Sequence, residues 1–299
     1  MVTLITGAGG FVGQALVRQA QSTDFPGKLR LVDRVLPPTI GAERVETDLF
    51  ACDLPAILED VHSVIHLAAL PGGAAEADPE LSHRINLELT ERFLKAISAA
   101  QRPIRFVHAS SIAVFGTPLP ELVDDDTEPR SGMTYGSHKR MAELAVESSG
   151  VDAVSVRLPG VVARPRRGVG FKSAFMSDVF WAVSAGEPCT MPIGPAATMW
   201  LMSAQTCAGN LLHAMGCALG QRRVMTLPAI RVTMAELAAA TATATGRDVN
   251  IVSYAPDPEL EEQFGRMPPL ATPLARSLGF EADPDLPTLV RSALRSAAA

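Results

Sequence analysis

Tyr135 and Lys139 stand four residues apart in the run Tyr135-Gly136-Ser137-His138-Lys139. On a helix that spacing puts both side chains on one face, so an ammonium can approach a phenol. A free phenol titrates at about 10 and is a poor base at neutral pH; a nearby cation favours the phenolate and draws that value down. The chain holds only two tyrosines, Tyr135 and Tyr254, which lowers the odds that the pairing is coincidental. Ser110 and Ser111 follow the apolar run Phe106-Val107-His108-Ala109 and bring two hydroxyls to the end of a strand. A phenol, a cation and a hydroxyl are the groups needed to move a proton on and off a reacting oxygen.

A second constellation is Thr6-Gly7-Ala8-Gly9-Gly10-Phe11-Val12-Gly13, directly after the β-branched run Val2–Thr6. Glycines at Gly7, Gly10 and Gly13 suit a backbone that turns sharply, lets a pyrophosphate approach, and packs a helix closely on a sheet. Phe11 and Val12 open that helix, whose free N–H groups and positive end favour phosphates. Asp33 follows 20 positions after Gly13, at the end of Leu31-Val32-Asp33. Together these features predict a dinucleotide site. A carboxylate at Asp33 can accept hydrogen bonds from the adenosine ribose, whereas a 2′-phosphate of roughly −1.5 to −2 charge would be repelled, so NAD is expected. Arg34 suits either a solvated place across the adenine or a pairing with such a phosphate. Asp48 and Leu49 are placed to meet the adenine, and Asp48 suits a plain turn as well.

Both constellations need a scaffold. β-Branched runs at Val2–Thr6, Leu29–Asp33, Val45–Asp48, Val64–Ala68, Ile104–Ala109 and Ala153–Leu158 show little polar alternation, and helical spacing separates them. This pattern predicts an α/β fold: a doubly wound parallel sheet of the Rossmann type, covered on both faces. After Leu158 the rhythm breaks at Pro159, Gly160, Pro165, Gly168 and Gly170. Helical pattern returns at Thr206–Ala218, Thr233–Thr245 and near Leu289–Ala298, with short strand candidates at Arg223–Leu227 and Asn250–Tyr254. Pro256, Pro258 and Met267-Pro268-Pro269 read as loop. The expected division is residues 1–160 for the dinucleotide and residues 161–299 for a smaller mixed α/β substrate domain, with some segments free to return to the first.

Composition narrows the function classes. Of 299 residues, 47% are apolar and 19% charged, which supports a packed core over disorder. Lys plus Arg (26) against Asp plus Glu (32) leaves −6, a poor basis for binding nucleic acid or an anionic membrane. Mean hydropathy is +0.18, yet no apolar run approaches the roughly 20 residues of a membrane span. The first residues lack the basic start of an export signal, so a cytoplasmic protein is expected. Cys52, Cys189, Cys207 and Cys217 are too scattered for a disulfide framework or a metal site, and read as buried small hydrophobes. No metal is expected, and His66, His108 and His138 read as structural groups.

The glycine loop, Asp33, His66-Leu67-Ala68-Ala69, Asn86, Ser111 and Tyr135-xxx-Lys139 together resemble an extended short-chain dehydrogenase/reductase of the NAD-dependent epimerase/dehydratase superfamily. The resemblance is strong over the first 160 residues. It implies that Ser111 polarises the reacting oxygen, that Tyr135 is the general base, and that Lys139 holds the nicotinamide ribose and tunes Tyr135. It further implies that Leu67, Ala68 and Ala69 line the dinucleotide with Asn86 in support. A homodimer through the helices carrying Asn86 and Lys139 is also implied.

Many extended members act on nucleotide sugars, and this sequence departs from their pattern at Phe115-Gly116, Arg157-Leu158-Pro159-Gly160 and Met199-Trp200-Leu201-Met202-Ser203-Ala204. Three stretches, Val114–Pro120, Val123–Thr127 and Trp200–Ser203, are instead similar to a branch that oxidises the C2 hydroxyl of a four-carbon, D-erythronate-like sugar acid to a 2-keto acid with NAD. A substrate carboxylate needs a cation, and Arg164, Arg166, Arg167 and Lys172 are available. Arg167 is the first choice, because Gly168 beside it lets the backbone close over a small ligand. Ser173, Phe175 and Trp200 suit pocket walls, though Phe175 and Trp200 equally suit core. Two other readings stay open: a nucleotide-sugar epimerase or dehydratase that keeps NAD bound, and a dinucleotide-sensing regulator without catalysis.

Overall fold

Short runs of Val, Ile and Leu form strands wherever both faces can be covered, and six such runs build the centre of this protein. The structure is a computed structural model that describes residues 1–23, 25–166, 173–218 and 220–298. The six are β1 (Val2–Thr6), β2 (Lys28–Asp33), β3 (Ala42–Glu46), β4 (Val61–His66), β5 (Arg105–Ser111) and β6 (Ala153–Leu158). Next come β7 (Gly160–Val162), β8 (Cys189–Met191), β9 (Thr198–Ser203), β10 (Val224–Thr226), β11 (Ile230–Thr233) and β12 (Val252–Tyr254). The main sheet has seven strands in the order β10-β6-β5-β4-β1-β2-β3, all parallel. Its order reverses between β1 and β4. A crevice therefore opens at the carboxyl ends of those strands, where ligands of doubly wound sheets bind.

The parallel Rossmann architecture is as the sequence predicts, but several local expectations are corrected. β3 ends at Glu46 rather than Asp48. Asp48 turns the chain instead, its Oδ1 accepting the Phe50 N–H at 2.8 Å. β4 runs from Val61 to His66 rather than from Val64 to Ala68, because its pairing with β1 stops where β1 gives way to the glycine loop. No helix separates β2 from β3: the connection contains Pro37 and Pro38, which cannot sustain one. The stretch Arg223–Leu227, grouped by sequence with the second half, supplies β10 and covers the open edge of β6.

Helices pack on both faces of the sheet. Phe11–Ser22 lies beside Ala204–Gly216, and Leu16, Ala20, Cys207 and Leu211 share one core. The opposite face buries Leu4, Val64, Phe93 and Phe106. A second core gathers Phe180, Met199, Leu201, Leu237 and Leu289 around the small sheet β11-β9-β7. Pro258, read as loop, begins the helix Pro258–Phe264. Proline suits a first helical position, and the Asp257 carboxylate caps the N–H groups of Glu259 and Leu260 at 2.8 and 3.1 Å. Of the cysteines, Cys207 is buried, whereas Cys52, Cys189 and Cys217 are half-buried, and all four are free. Among the described residues no helix is long and apolar enough to cross a membrane.

Candidate active site

The glycine loop is shaped by contacts that leave no room for side chains. A Cβ on Gly13 would sit 2.3 Å from the Gly7 carbonyl oxygen, and Gly7 itself has φ +69°. The helix Phe11–Ser22 begins at Gly10 without a side-chain cap and without an acidic residue in its first turn. Its first N–H groups and its positive end are thus available to an anion. Asp33 closes the loop from the other side: Oδ2 accepts the Gly9 N–H at 3.0 Å and Oδ1 accepts the Arg34 N–H at 2.7 Å. The carboxylate is half-buried beside the loop, and Arg34 is exposed. Leu67 and Ala68 lie opposite, the Leu67 N–H donating to the Thr6 carbonyl at 3.1 Å. Ala69 is exposed, and Leu49 is buried beneath the loop carrying Asp48. Asn86 grips the next residue with two bonds of 3.0 Å, one from the Leu70 N–H and one to the Leu70 carbonyl. This glycine cradle, with its bare helix end and acidic flank, fits NAD.

Ser111 and Tyr135 meet across the crevice. Ser111 ends β5 and caps the following turn through the Ala113 N–H at 3.1 Å. Its hydroxyl stands near enough to the Tyr135 phenol to favour the phenolate. Gly136 makes that approach possible, since a Cβ there would lie 2.1 Å from Ser131 Oγ and 2.2 Å from the Ala113 carbonyl oxygen. Sequence reading passed over Gly136, although a glycine inside a helix costs about 1 kcal/mol and so signals close packing. The helix Thr134–Ser148 has no side-chain cap at Met133. Glu76 does that work from outside, accepting the Tyr135 N–H at 3.1 Å.

A second cation, Arg164, stands near the phenol in addition to the Lys139 that shares its helix. Lys139 is 2% exposed. Its Nζ donates to the Ala109 carbonyl at 2.8 Å and lies 3.4 Å from His108 Nε2. Burial lowers its pKa to about 8, with Glu143 opposing that fall. Burial raises the Tyr135 pKa, while the Arg164 guanidinium and the Ser111 hydroxyl pull it back. The Arg164 guanidinium thus favours the phenolate, while the Lys139 ammonium is hydrogen-bonded to the β5 backbone. Below them the buried Glu143 binds Arg157 twice at 2.9 Å and accepts the Ser110 hydroxyl at 2.6 Å, bracing the end of β5.

His66 and His108 form the floor of this region, with ring centroids 6.2 Å apart. His66 Nδ1 is 2.7 Å from Thr6 Oγ1, and its Nε2 has no partner among the described residues. His108 Nδ1 is 2.9 Å from Ser155 Oγ. Burial, reinforced by Lys139, lowers the His66 pKa from 6.5 to about 3 and holds His108 well below its ordinary value. The unfolded chain therefore binds protons at these rings in a range where the folded chain does not. Stability falls as pH drops from about 6.5 toward 3, by up to about 1.4 kcal/mol per pH unit for each ring. Thermal melts of the wild type and of His108→Asn between about pH 7 and pH 4.5 check this. A smaller acid loss in the variant is expected, and identical slopes would contradict it.

A cavity of about 520 Å³ opens beside Ser111 and Tyr135. Of the sequence-predicted substrate residues, Ser173 and Trp200 line it, and so do Arg164 and Arg166. Phe175 is instead core, its ring 6.5 Å from that of Phe264. Trp200 serves both roles: it packs with Val114, Phe115 and Val123, and its Nε1–H donates to the Pro268 carbonyl at 2.7 Å. Arg167 and Lys172 lie outside the described residues. The main chain at Arg164 is pinned by Ser177 Oγ on its N–H at 3.0 Å and by the Trp181 Nε1–H on its carbonyl at 2.6 Å. Asp178 and Gln263 also line the cavity. Sequence reading missed Gln263 because it lies 128 positions beyond Tyr135 in a segment that carries no motif.

Comparison with known proteins agrees with this construction. The D-erythronate dehydrogenase of Cupriavidus necator is 30% identical, with 99% of each chain covered. The D-erythronate dehydrogenase of Haemophilus influenzae is 31% identical over 79% of this chain and 80% of its own. The crystal structure of the nucleoside-diphosphate-sugar epimerase from Agrobacterium tumefaciens superposes with a TM-score of 0.88 at 26% identity, covering 97% of this chain and 92% of that one. Residues 3–200 match the NAD dependent epimerase/dehydratase family, whose cofactor the glycine cradle fits. The chain belongs to the NAD dependent epimerase/dehydratase family.

Proposed function

We propose that this protein is a sugar-acid dehydrogenase that oxidises the C2 hydroxyl of a four-carbon, D-erythronate-like acid to a 2-keto acid. The observation that carries the reading is the meeting of Ser111, Tyr135 and Arg164 around one cavity. A guanidinium binds a carboxylate through two parallel hydrogen bonds. With the carboxylate on Arg164, the adjacent carbon is the one whose hydroxyl reaches Tyr135 and Ser111, and this selects C2. Arg164 replaces Arg167 as the assigned anchor.

The Tyr135 phenolate takes the proton from the C2 hydroxyl while the Ser111 hydroxyl donates to the same oxygen. The carbon–hydrogen bond breaks as the carbon–oxygen double bond forms. Bound NAD supplies the acceptor for that hydride, and its positive nicotinamide favours the phenolate. Gly7, Gly10, Phe11, Val12 and Gly13 are assigned the pyrophosphate, Asp33 the ribose hydroxyls, and Leu67, Ala68 and Ala69 the adjoining wall. Lys139 is assigned the nicotinamide ribose. Held this way, the groups contribute orientation and electrostatic stabilisation.

Purified protein with NAD and four- to six-carbon aldonic acids should accumulate NADH, read at its absorbance, fastest with the four-carbon acid. Turnover of a nucleotide sugar without net NADH would instead establish the epimerase reading, which the resemblance to the Agrobacterium tumefaciens structure keeps in view. Absence of any NADH with every acid overturns the proposal.

A further inference from the structure

We infer that Glu143 is a positioning residue for the reaction: with Ser110 and Arg157 it fixes the Ser111 hydroxyl where it can donate to the reacting oxygen. This rests on the role given to Ser111 above. Glu143 is fully buried, one turn beyond Lys139 on the helix Thr134–Ser148. Its Oε1 accepts the Ser110 hydroxyl at 2.6 Å and the Arg157 Nε–H at 2.9 Å, while Oε2 accepts a second Arg157 N–H at 2.9 Å. Ser110 and Arg157 are register partners on β5 and β6. One carboxylate therefore ties both strands to the helix at the step just before Ser111.

Arg157 reaches past Ser111 as well. Its guanidinium carbon stands 4.9 Å from the centre of the Phe115 ring. Phe115 closes the short turn Ile112–Phe115, which Ser111 caps through the Ala113 N–H at 3.1 Å. Ser111 is thus bracketed: Ser110 before it is held directly by Glu143, and the turn after it is held through Arg157. Phe115 packs in turn with Trp200, a wall of the substrate cavity. Stability is a poor reason for such an arrangement. Removing two charges from water offsets most of their attraction, and an apolar pair of similar volume would hold helix to sheet about as well. What the ion pair adds is direction, because a guanidinium and a carboxylate meet through two parallel bonds in one plane. Direction matters most where a donor must meet a reacting oxygen, since an error of about 1 Å costs about 10²-fold in rate.

A double-mutant cycle with Ser111 separates positioning from a merely structural role. Glu143→Gln keeps the volume, but its amide accepts at one end only and sets a donor against a donor at the other. It should lower kcat, measured with saturating NAD and the best aldonic acid, by about 10- to 100-fold. In the Ser111→Ala background the same substitution should lower kcat by no more than about threefold, because the group being positioned is gone. Ser110→Ala leaves the Glu143 charge in place beside Lys139 and should show the same pattern with a smaller loss; it carries the test if Glu143→Gln does not fold. An unchanged kcat, or an undiminished loss in the Ser111→Ala background, would overturn the inference. Failure of the sugar-acid reading shows separately, as wild-type protein that forms no NADH from any acid. Crystal structures of the variants then decide: Ser111 Oγ displaced by more than about 0.5 Å supports the inference, and an unmoved Ser111 overturns it.

Discussion

Tyr135→Phe lowers turnover by about 10²- to 10⁴-fold, the range of general acid–base catalysis by one positioned group. The variant loses a hydroxyl and keeps the ring, so the packing of the helix Thr134–Ser148 and the approach allowed by Gly136 persist. Its affinity for NAD changes little, because the glycine loop and Asp33 are built from other elements. Single-turnover kinetics and an NADH-binding titration separate the two effects. A variant with near-normal turnover removes Tyr135 from the chemistry, and one that loses NADH binding shows a structural role instead.

Arg164→Met produces the second large effect. Removing one partner of a buried, charge-assisted pair costs about 2–4 kcal/mol, or about 30- to 1,000-fold in kcat/KM. The loss falls mainly on KM, since the guanidinium is assigned to the carboxylate in ground and transition states alike. Arg164 also counters the rise that burial imposes on the Tyr135 pKa. Without it the phenol holds its proton to higher pH, so the acid limb of kcat/KM moves upward. Arg164→Lys keeps the charge but not the fork, so it recovers the limb more fully than it recovers KM. An unshifted limb with an unchanged KM in Arg164→Met would place the carboxylate elsewhere.

Much of the fold and half of the site were legible in the residues alone. The order of β-branched runs and helices, the spacing of Gly7, Gly10 and Gly13, and Asp33 at a strand end follow from local geometry. Periods of two and 3.6 residues, and φ values open to glycine, are properties of short segments and can be read from them. The same holds for Tyr135 and Lys139 on one helix, and for Ser111 at the end of β5.

Tertiary structure decided the rest, because it turns on which distant segments meet. Lys139 shares a helical face with Tyr135, yet its ammonium goes to Ala109 and His108, since β5 offers a buried carbonyl within reach. A charge that favours the phenolate comes from Arg164, beyond β7, and the same cavity is lined by Gln263 from the helix Pro258–Phe264. β10 crosses from the second half to complete the main sheet because β6 has an open edge. No spacing rule spans such separations. Side chains with a choice of partners are settled by burial, which makes an unsatisfied polar group costly and rewards the contact that satisfies it.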